Sequence, residues 1–505
     1  MLNTYLGQKG YTLPKSELTI EQQKKIREDL TIKPYVPGAP PMGDQKTFPA
    51  YRESSNKLYV PHYYGIDNFG TPKSYKITEG KDINLEFKGK LRENQEIVVS
   101  TYVKHVNTVI SGGGLLELPC AYGKTVLSLN IISRIQKKTF IIVHKEFLMN
   151  QWIERIGEFL PHARVGKIQG QIIDIEDKDI VIGMLQSLSM KEYPPSIFES
   201  FGLTIIDEVH HISSEVFSNS LFKIITKYML GLSATMNRKD GTTRVFKMFL
   251  GNVIFKGKRD EERQVIVRAI EYKVDDDEFN EVKTDYRGNV AYSSMISKLC
   301  EYNRRSEFIL KVLVDLLIEN PNQQIMILAH NKNILTYFHD AIKHRNIATV
   351  GYYVGGMKEQ HLKETESKKV VIATYAMASE ALDIKTLTTL IMTTPKTDIE
   401  QSVGRILREK HSSPMVIDII DSHDFFKNQW RKRQVFYKKE NYKIIYTTSL
   451  LYNTKVNEWR VLYEPTNGTL NKKKVFKETE TGINECDDEE KDKYLTGKCL
   501  LKIKK

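Results

Sequence analysis

At 505 residues, 40% hydrophobic and 27% charged, the chain is too long for one ordinary core and too apolar for a disordered protein, so roughly two to four domains are expected. A net charge of +12 and a pI near 9.1 suit a polyanionic partner whose phosphates Lys and Arg would neutralise, although charge alone names no partner. The four cysteines lack C-x-x-C spacing, which excludes the usual zinc and iron–sulfur patterns; no signal-peptide core or membrane-length apolar run occurs, so an intracellular protein with no membrane partner is expected.

Residues 1–90 are rich in Pro, Gly and Tyr, with strand-like pieces such as KLYVPHYYGI between turn signals, and read as an N-terminal accessory domain. A helical stretch from Leu91 to Val109 leads through Ser111-Gly112-Gly113-Gly114 into the apolar run Leu115–Leu118. Further apolar runs follow at 139–144, 179–185, 203–209 and 229–235, separated by helical patterns. In KEFLMNQWIERIGEFL, for example, Leu148, Trp152, Ile156 and Phe159 fall on one face. Strands apolar on both faces and alternating with helices predict a parallel sheet covered on both sides, here over 91–255. The charged stretch 256–300 breaks the rhythm and reads as an inter-lobe connection. The rhythm resumes at 324–331, 350–356, 369–375, 388–394 and 415–421, predicting a second α/β lobe over 301–425. Residues 426–505 read as a basic, aromatic extension and then a loosely packed polar tail.

LPCAYGKTVLSLNII (118–132) carries the chemistry most clearly. A buried strand ends, a tight turn holds Gly123-Lys124-Thr125, and a helix begins, so amides at the helix N-terminus would face a phosphate. The loop Leu118, Pro119, Cys120, Ala121, Tyr122 and Gly123 would cradle ATP, Lys124 would reach its β and γ phosphates, and Thr125 would hold Mg²⁺. A strict phosphate-loop pattern would place Gly where Leu118 stands, and a plain strand-to-helix turn is the alternative. A second element, LTIIDEVHH, ends a buried strand in adjacent carboxylates, which are costly unless they hold a cation or do chemistry. Asp207 would bind Mg²⁺ through water, Glu208 would activate the attacking water, and His210 would couple the site to the other lobe; a chance Asp-Glu pair in a solvated loop is the alternative.

These elements, with Ser233-Ala234-Thr235, stand in the order and spacing of a superfamily 2 helicase, which the chain resembles over roughly residues 91–445. ATYAMASEALDIKTLTTLIMTT resembles motif V and QSVGRILR (401–408) motif VI, while Leu91-Arg92-x-x-Gln95 looks like the element that contacts adenine. The resemblance implies two tandem RecA-like lobes of α/β class sharing one ATP site. Gln401 would lie near the γ-phosphate and Arg405 and Arg408 would act as arginine fingers, all three on one helix face. Ser233 and Thr235 would relay between nucleotide and strand contacts, and Asp383 would sit at the lobe interface. Nucleic acid, held by its backbone, would meet His144, Lys145, Gln186, Ser187, His330, Asn331 and Thr374, each of which could equally be a strand cap or surface polar residue. Two departures stand out: Ala121 occupies a position often Gly, and Ala381-Leu382-Asp383-Ile384-Lys385 replaces the usual Gly-Leu-Asp-x-Pro.

LPCAYGKT, Arg238-Lys239-Asp240 after SAT and the segment KRQVFYKKENYKIIYTTS resemble XPB-type helicases, and the short length resembles helicases of large cytoplasmic DNA viruses of the poxvirus transcript-release type. This implies a 3′-to-5′ DNA motor in transcription or repair, with the transcription machinery as partner and, if viral, the host cytoplasm or virion as location. An RNA helicase and an ATP-gated DNA clamp are the alternatives. Lys427, Arg431, Lys432, Arg433, Lys438 and Lys439, with Trp430, Phe436 and Tyr437, would form a basic surface able to stack on bases, or else a helix packing its aromatics on the second lobe.

Overall fold

The computed structural model describes residues 2–35, 46–108, 112–119, 122–212, 214–236, 238, 240–257, 265–380, 384–407 and 414–465. Cys120, Ala121, Asp383, Arg408 and the polar tail from 466 onward, all singled out above, lie outside these residues. Among the described residues no helix is long and apolar enough to cross a membrane.

The two α/β lobes expected from the sequence are present as two eight-stranded sheets. The first runs, in spatial order, Ile172–Ile173, Val165–Gln169, Ile180–Met184, Thr139–Val143, Leu203–Ile206, Tyr228–Ser233, Gly112–Glu117 and Val253–Lys256. All are parallel except the short Ile172–Ile173 edge. Its central strands are buried on both faces because side chains alternate at a period of two. From Thr139–Val143, Phe140 and Ile142 enter a core with Phe217, Phe246 and Phe249, whereas Ile141 and Val143 enter a second core with Val98, Leu127, Trp152 and Ile156. That second core receives the apolar faces of helices Glu93–Asn107, Lys124–Ile135 and Glu146–Phe159.

The second sheet runs Val350–Tyr353, Val370–Thr374, Gln324–Ala329, Leu387–Met392, Met415–Asp421, Ile266–Tyr272, Lys443–Thr448 and Arg460–Tyr463, parallel except for the last strand. Two stretches therefore differ from their expected place. Ile266–Tyr272, read as part of a connection, is an interior strand bonded to Met415–Asp421 and Lys443–Thr448. Its charged residues fit there because each meets a partner: Arg268 reaches Glu319 at 2.5 Å and Glu271 reaches Lys427 at 3.2 Å. The extension beyond 425 likewise adds a helix, Asp424–Lys439, and two strands to this lobe.

Residues before 90 build a five-stranded sheet ordered Arg52–Glu53, Lys57–Val60, Gly10–Pro14, Tyr5–Gly7 and Ser74–Tyr75. Helix Ile20–Asp29 opens on a capping box of Thr19 with Gln22. Only part of KLYVPHYYGI is strand: Pro61 starts the helix His62–Phe69, since proline cannot continue a strand ladder but suits a helix start. A Cβ at Gly65 would lie 2.1 Å from the Tyr11 ring, so the glycine lets that helix lie flat on the sheet. The unit docks on the first lobe where Tyr63 Oη accepts from the Gly113 amide at 2.6 Å and Arg52 donates to the Asn219 carbonyl at 3.2 Å.

Candidate active site at the inter-lobe cleft

The residues expected to cradle phosphate follow strand Gly112–Glu117 directly. The Leu118 amide bonds to the Ser233 carbonyl at 2.8 Å, tying the loop to the neighbouring strand. Gly123 precedes helix Lys124–Ile135 with φ of 90°, a left-handed conformation that glycine adopts without penalty. A Cβ there would lie 2.5 Å from Gln95 Nε2. Arg92 and Gln95 both donate to the Tyr122 carbonyl, at 2.7 and 2.9 Å, and Gln95 Oε1 accepts from the Arg92 amide at 3.0 Å. The pair expected to meet adenine braces the loop. Thr125 lies half-buried in the first turn of the helix.

Strand Leu203–Ile206 ends beside this loop and presents Asp207 and Glu208. Asp207 is buried; its Oδ2 accepts from Trp152 Nε1 at 2.9 Å and its Oδ1 from the Glu208 amide at 3.0 Å. Burial first, and the Glu208 charge second, push its pKa up to about 6 against the opposing pull of Lys124 and the Trp152 bond. A buried carboxylate in this state has strong reason to meet a cation. Glu208 sits at φ 48°, a left-handed position unusual for its residue type, and its Oε1 pairs with Lys124 Nζ at 2.6 Å. Trp152 was visible in the sequence only as a member of an apolar helix face.

The same turn reaches across the cleft. His210 Nδ1 lies 2.8 Å from Ser233 Oγ and 3.3 Å from Glu208 Oε2, and its Nε2 lies 2.9 Å from the Gln401 amide nitrogen in the second lobe. With the amide as donor the ring accepts at Nε2 and carries its proton on Nδ1, aimed at Ser233, whose hydroxyl donates to the Thr235 carbonyl. Gln401, His210 and Ser233 therefore form one hydrogen-bonded line from one lobe to the other. Ala234, between Ser233 and Thr235, is buried. Asn150 Nδ2 also bonds Glu359 Oε2 at 3.0 Å, and Phe147 packs against both lobes' cores. Beneath the turn, Arg238 Nη1 donates to the carbonyls of His210 at 2.6 Å and Ile212 at 2.7 Å. Burial alone would raise Asp240, but its bonds to Arg238 and Thr242 outweigh this and hold it at about 2.

Gln401 and Arg405 do not share one regular helix as expected. Helix Glu400–Val403 tightens into a 3-10 turn over Gly404–Leu407, and Arg405 Nε donates to the Ala378 carbonyl at 2.5 Å within its own lobe.

The expected nucleic-acid contacts all lie at C-terminal ends of parallel strands or in the residues just after them, where open α/β sheets receive ligands. Several have protein partners there. His144 is buried and its carbonyl accepts from Gln186 Nε2 at 2.8 Å; Lys145 immediately precedes helix Glu146–Phe159, and burial lowers its pKa. Ser187 Oγ accepts from the Gly170 amide at 2.9 Å. His330 lies 2.8 Å from Thr394 Oγ1 and is lowered to about 4 by burial, then by Lys396. Asn331 Nδ2 meets Ser297 Oγ at 3.5 Å, and Thr374 Oγ1 accepts from the Met377 amide at 3.4 Å. In helix Asp424–Lys439, Trp430 and Tyr437 are buried. Arg433, expected on a basic surface, is instead buried and paired with Asp418 at 2.8 Å, while Arg431, Lys432, Lys438 and Lys439 are exposed.

Several known proteins are similar to this chain. The family described as type III restriction enzyme, res subunit, matches residues 88–238. "Putative ATP-dependent RNA helicase L396" of Acanthamoeba polyphaga mimivirus is 34% identical over 456 residues, covering 88% of this chain and 86% of that protein. "Putative helicase 161L" of Invertebrate iridescent virus 6 is 25% identical over 72% of this chain and 85% of its own length. "Putative ATP-dependent RNA helicase QP509L" of African swine fever virus (isolate Tick/South Africa/Pretoriuskop Pr4/1996) is 28% identical over 65% and 68%. The crystal structure of T4 UvsW aligns over 85% of this chain and 96% of its own at 17% identity, with a TM-score of 0.33. The chain belongs to the superfamily 2 helicases, related to these viral helicases, and is an ATP-dependent enzyme of that class.

Proposed function

We propose that this helicase acts on DNA, moving 3′-to-5′ in transcription or repair, with one ATP site divided between the two lobes. The observation that carries the divided site is the bond from the Gln401 amide to His210, a residue two positions beyond Glu208. The resemblance of LPCAYGKT and Arg238-Lys239-Asp240 to XPB-type elements supports DNA and the polarity. The mimivirus relative's name gives RNA as the second reading.

In this reading residues 1–90 form an accessory unit, and the lobes meet across the cleft described above. The residues present fit Mg²⁺: Asp207 is a buried carboxylate raised by its surroundings, and Thr125 offers a hydroxyl at the first turn of the adjoining helix. The ion would neutralise charge on the transferred phosphoryl group. Gly123 lets the backbone approach the phosphates, and Lys124 exchanges its partner Glu208 for them. That exchange frees the Glu208 carboxylate to orient water and accept its proton. Gln401 and Arg405 complete the site from the second lobe, Arg405 leaving the Ala378 carbonyl to do so. Because ATP binds the closed state more tightly than the open one, its hydrolysis shifts the lobes. His144, Lys145, Gln186, Ser187, His330, Asn331 and Thr374 present the strand-end edge along which the nucleic-acid backbone passes, mainly through main-chain groups where side chains are already engaged.

ATP hydrolysis measured with single- and double-stranded DNA and RNA tests the reading. Stimulation by DNA with strand displacement on a 3′-tailed duplex is expected; stimulation by RNA alone would replace DNA as substrate, and hydrolysis without displacement would leave a clamp.

A further inference from the structure

The N-terminal sheet has a face that the ATP cycle does not use. Its inner face carries Leu6, Tyr11, Leu13, Leu58 and Val60 into a small core. By the alternation of side chains, the opposite face carries a row set by the strand register, in which Arg52 lies opposite Tyr59, Tyr59 opposite Thr12, Thr12 opposite Tyr5, and Tyr5 opposite Ser74. Arg52, at one end, is turned toward the first lobe, where it lies 5.4 Å from the Phe222 ring. The rest of the row faces outward. Tyr5 and Tyr59 stay partly exposed on either side of buried Thr12.

Three ammonium groups converge on these two rings. Lys76 Nζ lies 4.2 Å and Lys57 Nζ 5.3 Å from the Tyr5 centroid, Lys57 also donating to Tyr5 Oη at 3.2 Å, and Lys9 Nζ lies 5.5 Å from the Tyr59 centroid. Lys9 and Lys76 are exposed. Among the described residues none of these three lysines forms an ion pair, whereas nearby Lys15 pairs with Glu53 at 2.7 Å. Cations held on aromatic faces with no carboxylate to neutralise them favour an anionic partner that also brings planar groups. The location separates this face from the cleft. The unit docks through Tyr63 at Gly113, near the start of strand Gly112–Glu117, whereas the phosphate loop follows that strand's end.

We infer that this sheet face is a second nucleic-acid-binding surface, on which Lys9, Lys57 and Lys76 neutralise backbone phosphates of a single strand and Tyr5 and Tyr59 stack on its bases. The inference rests on the helicase reading only in taking nucleic acid as the partner. It gives the N-terminal unit the task of holding a strand while the lobes release and rebind theirs.

The test uses the full chain without nucleotide and a labelled single-stranded oligonucleotide, DNA in one arm and RNA in the other, titrated from about 50 to about 200 mM salt. Each neutralised phosphate contributes about 0.7 to the slope of log affinity against log salt, so the triple variant Lys9→Gln/Lys57→Gln/Lys76→Gln is expected to lower the slope by about 2. Over that range its disadvantage relative to the unmodified chain should shrink by roughly twentyfold. Tyr5→Leu and Tyr59→Leu, which keep strand-compatible apolar side chains, should each weaken binding by about fivefold or more without changing the slope. Basal ATP hydrolysis should stay unchanged in all three, which also reports that they fold. Unaltered affinity and slope in a chain whose ATP hydrolysis nucleic acid still stimulates would overturn this inference alone, in favour of an acidic protein partner. If neither DNA nor RNA bound or stimulated the unmodified chain, the helicase reading would fall and this inference with it.

Discussion

Trp152→Phe gives a direct reading of how the fold sets the chemistry of Asp207. The indole N–H donates to Asp207 Oδ2 at 2.9 Å in a buried setting, and this bond is one of the forces that keep the carboxyl from rising above about 6. Phenylalanine keeps an aromatic ring in the core with Val98 and Ile156 but has no donor. A hydrogen bond to a charged group contributes about 1.5–3 kcal/mol, which is roughly a tenfold to hundredfold change in the proton affinity of the carboxylate. Losing a donor disfavours the charged form, so Asp207 should stay protonated to higher pH. The acidic limb of the ATP-hydrolysis profile should then move toward alkaline pH, and the Mg²⁺ concentration needed near pH 7 should rise by about twofold to tenfold. Steady-state hydrolysis across pH and Mg²⁺ concentration measures both. Raising either should restore the rate, which a general packing defect would not allow. An unshifted acidic limb together with an unchanged Mg²⁺ requirement would refute the reasoning.

Removing the cross-cleft bond with Gln401→Ala should cost about 1 kcal/mol of coupling, so stimulation of ATP hydrolysis by nucleic acid should fall by about fivefold while the melting temperature changes little. His62 is buried, its Nε2 has no hydrogen-bond partner, and burial lowers its pKa to about 4. The unfolded chain therefore binds this proton more readily, and the stability the neutral ring contributes is present above about pH 6.5 and is lost as pH falls toward about 4, by about 3 kcal/mol in all. His62→Leu should flatten urea-unfolding stability over that window by about that amount, and an unchanged pH dependence would count against it. Arg305→Met should destabilise the second lobe by about 3–5 kcal/mol in denaturant unfolding, because Asp421, fully buried and 2.6 Å from the guanidinium, would keep an unpaired charge.

The loop before Lys124 and the Asp207-Glu208 turn were legible as positions in the fold because each follows a short, buried and largely apolar strand that stops at residues unsuited to a strand interior. Strand Ile266–Tyr272 was not. IVRAIEY places Arg268 and Glu271 inside a sheet, and only the folded chain supplies Glu319 for the first and Lys427 for the second. Arg433 misled for the same reason, since its partner Asp418 lies on a strand whose inward direction the helix pattern could not reveal. Motif position located the strand ends that carry His144 and His330, yet it could not tell that one would be buried and the other engaged by Thr394. Trp152 shows the reverse. Its place on an apolar helix face was plain, but its bond to a carboxylate 55 residues on depends on tertiary packing.

The joint ATP site stands or falls with Arg405. In Arg405→Ala, a fluorescent ATP analogue should bind within about threefold of the unmodified chain, while nucleic-acid-stimulated turnover should drop by about a thousandfold or more. Turnover at the unmodified rate would mean that the first lobe hydrolyses ATP without the second.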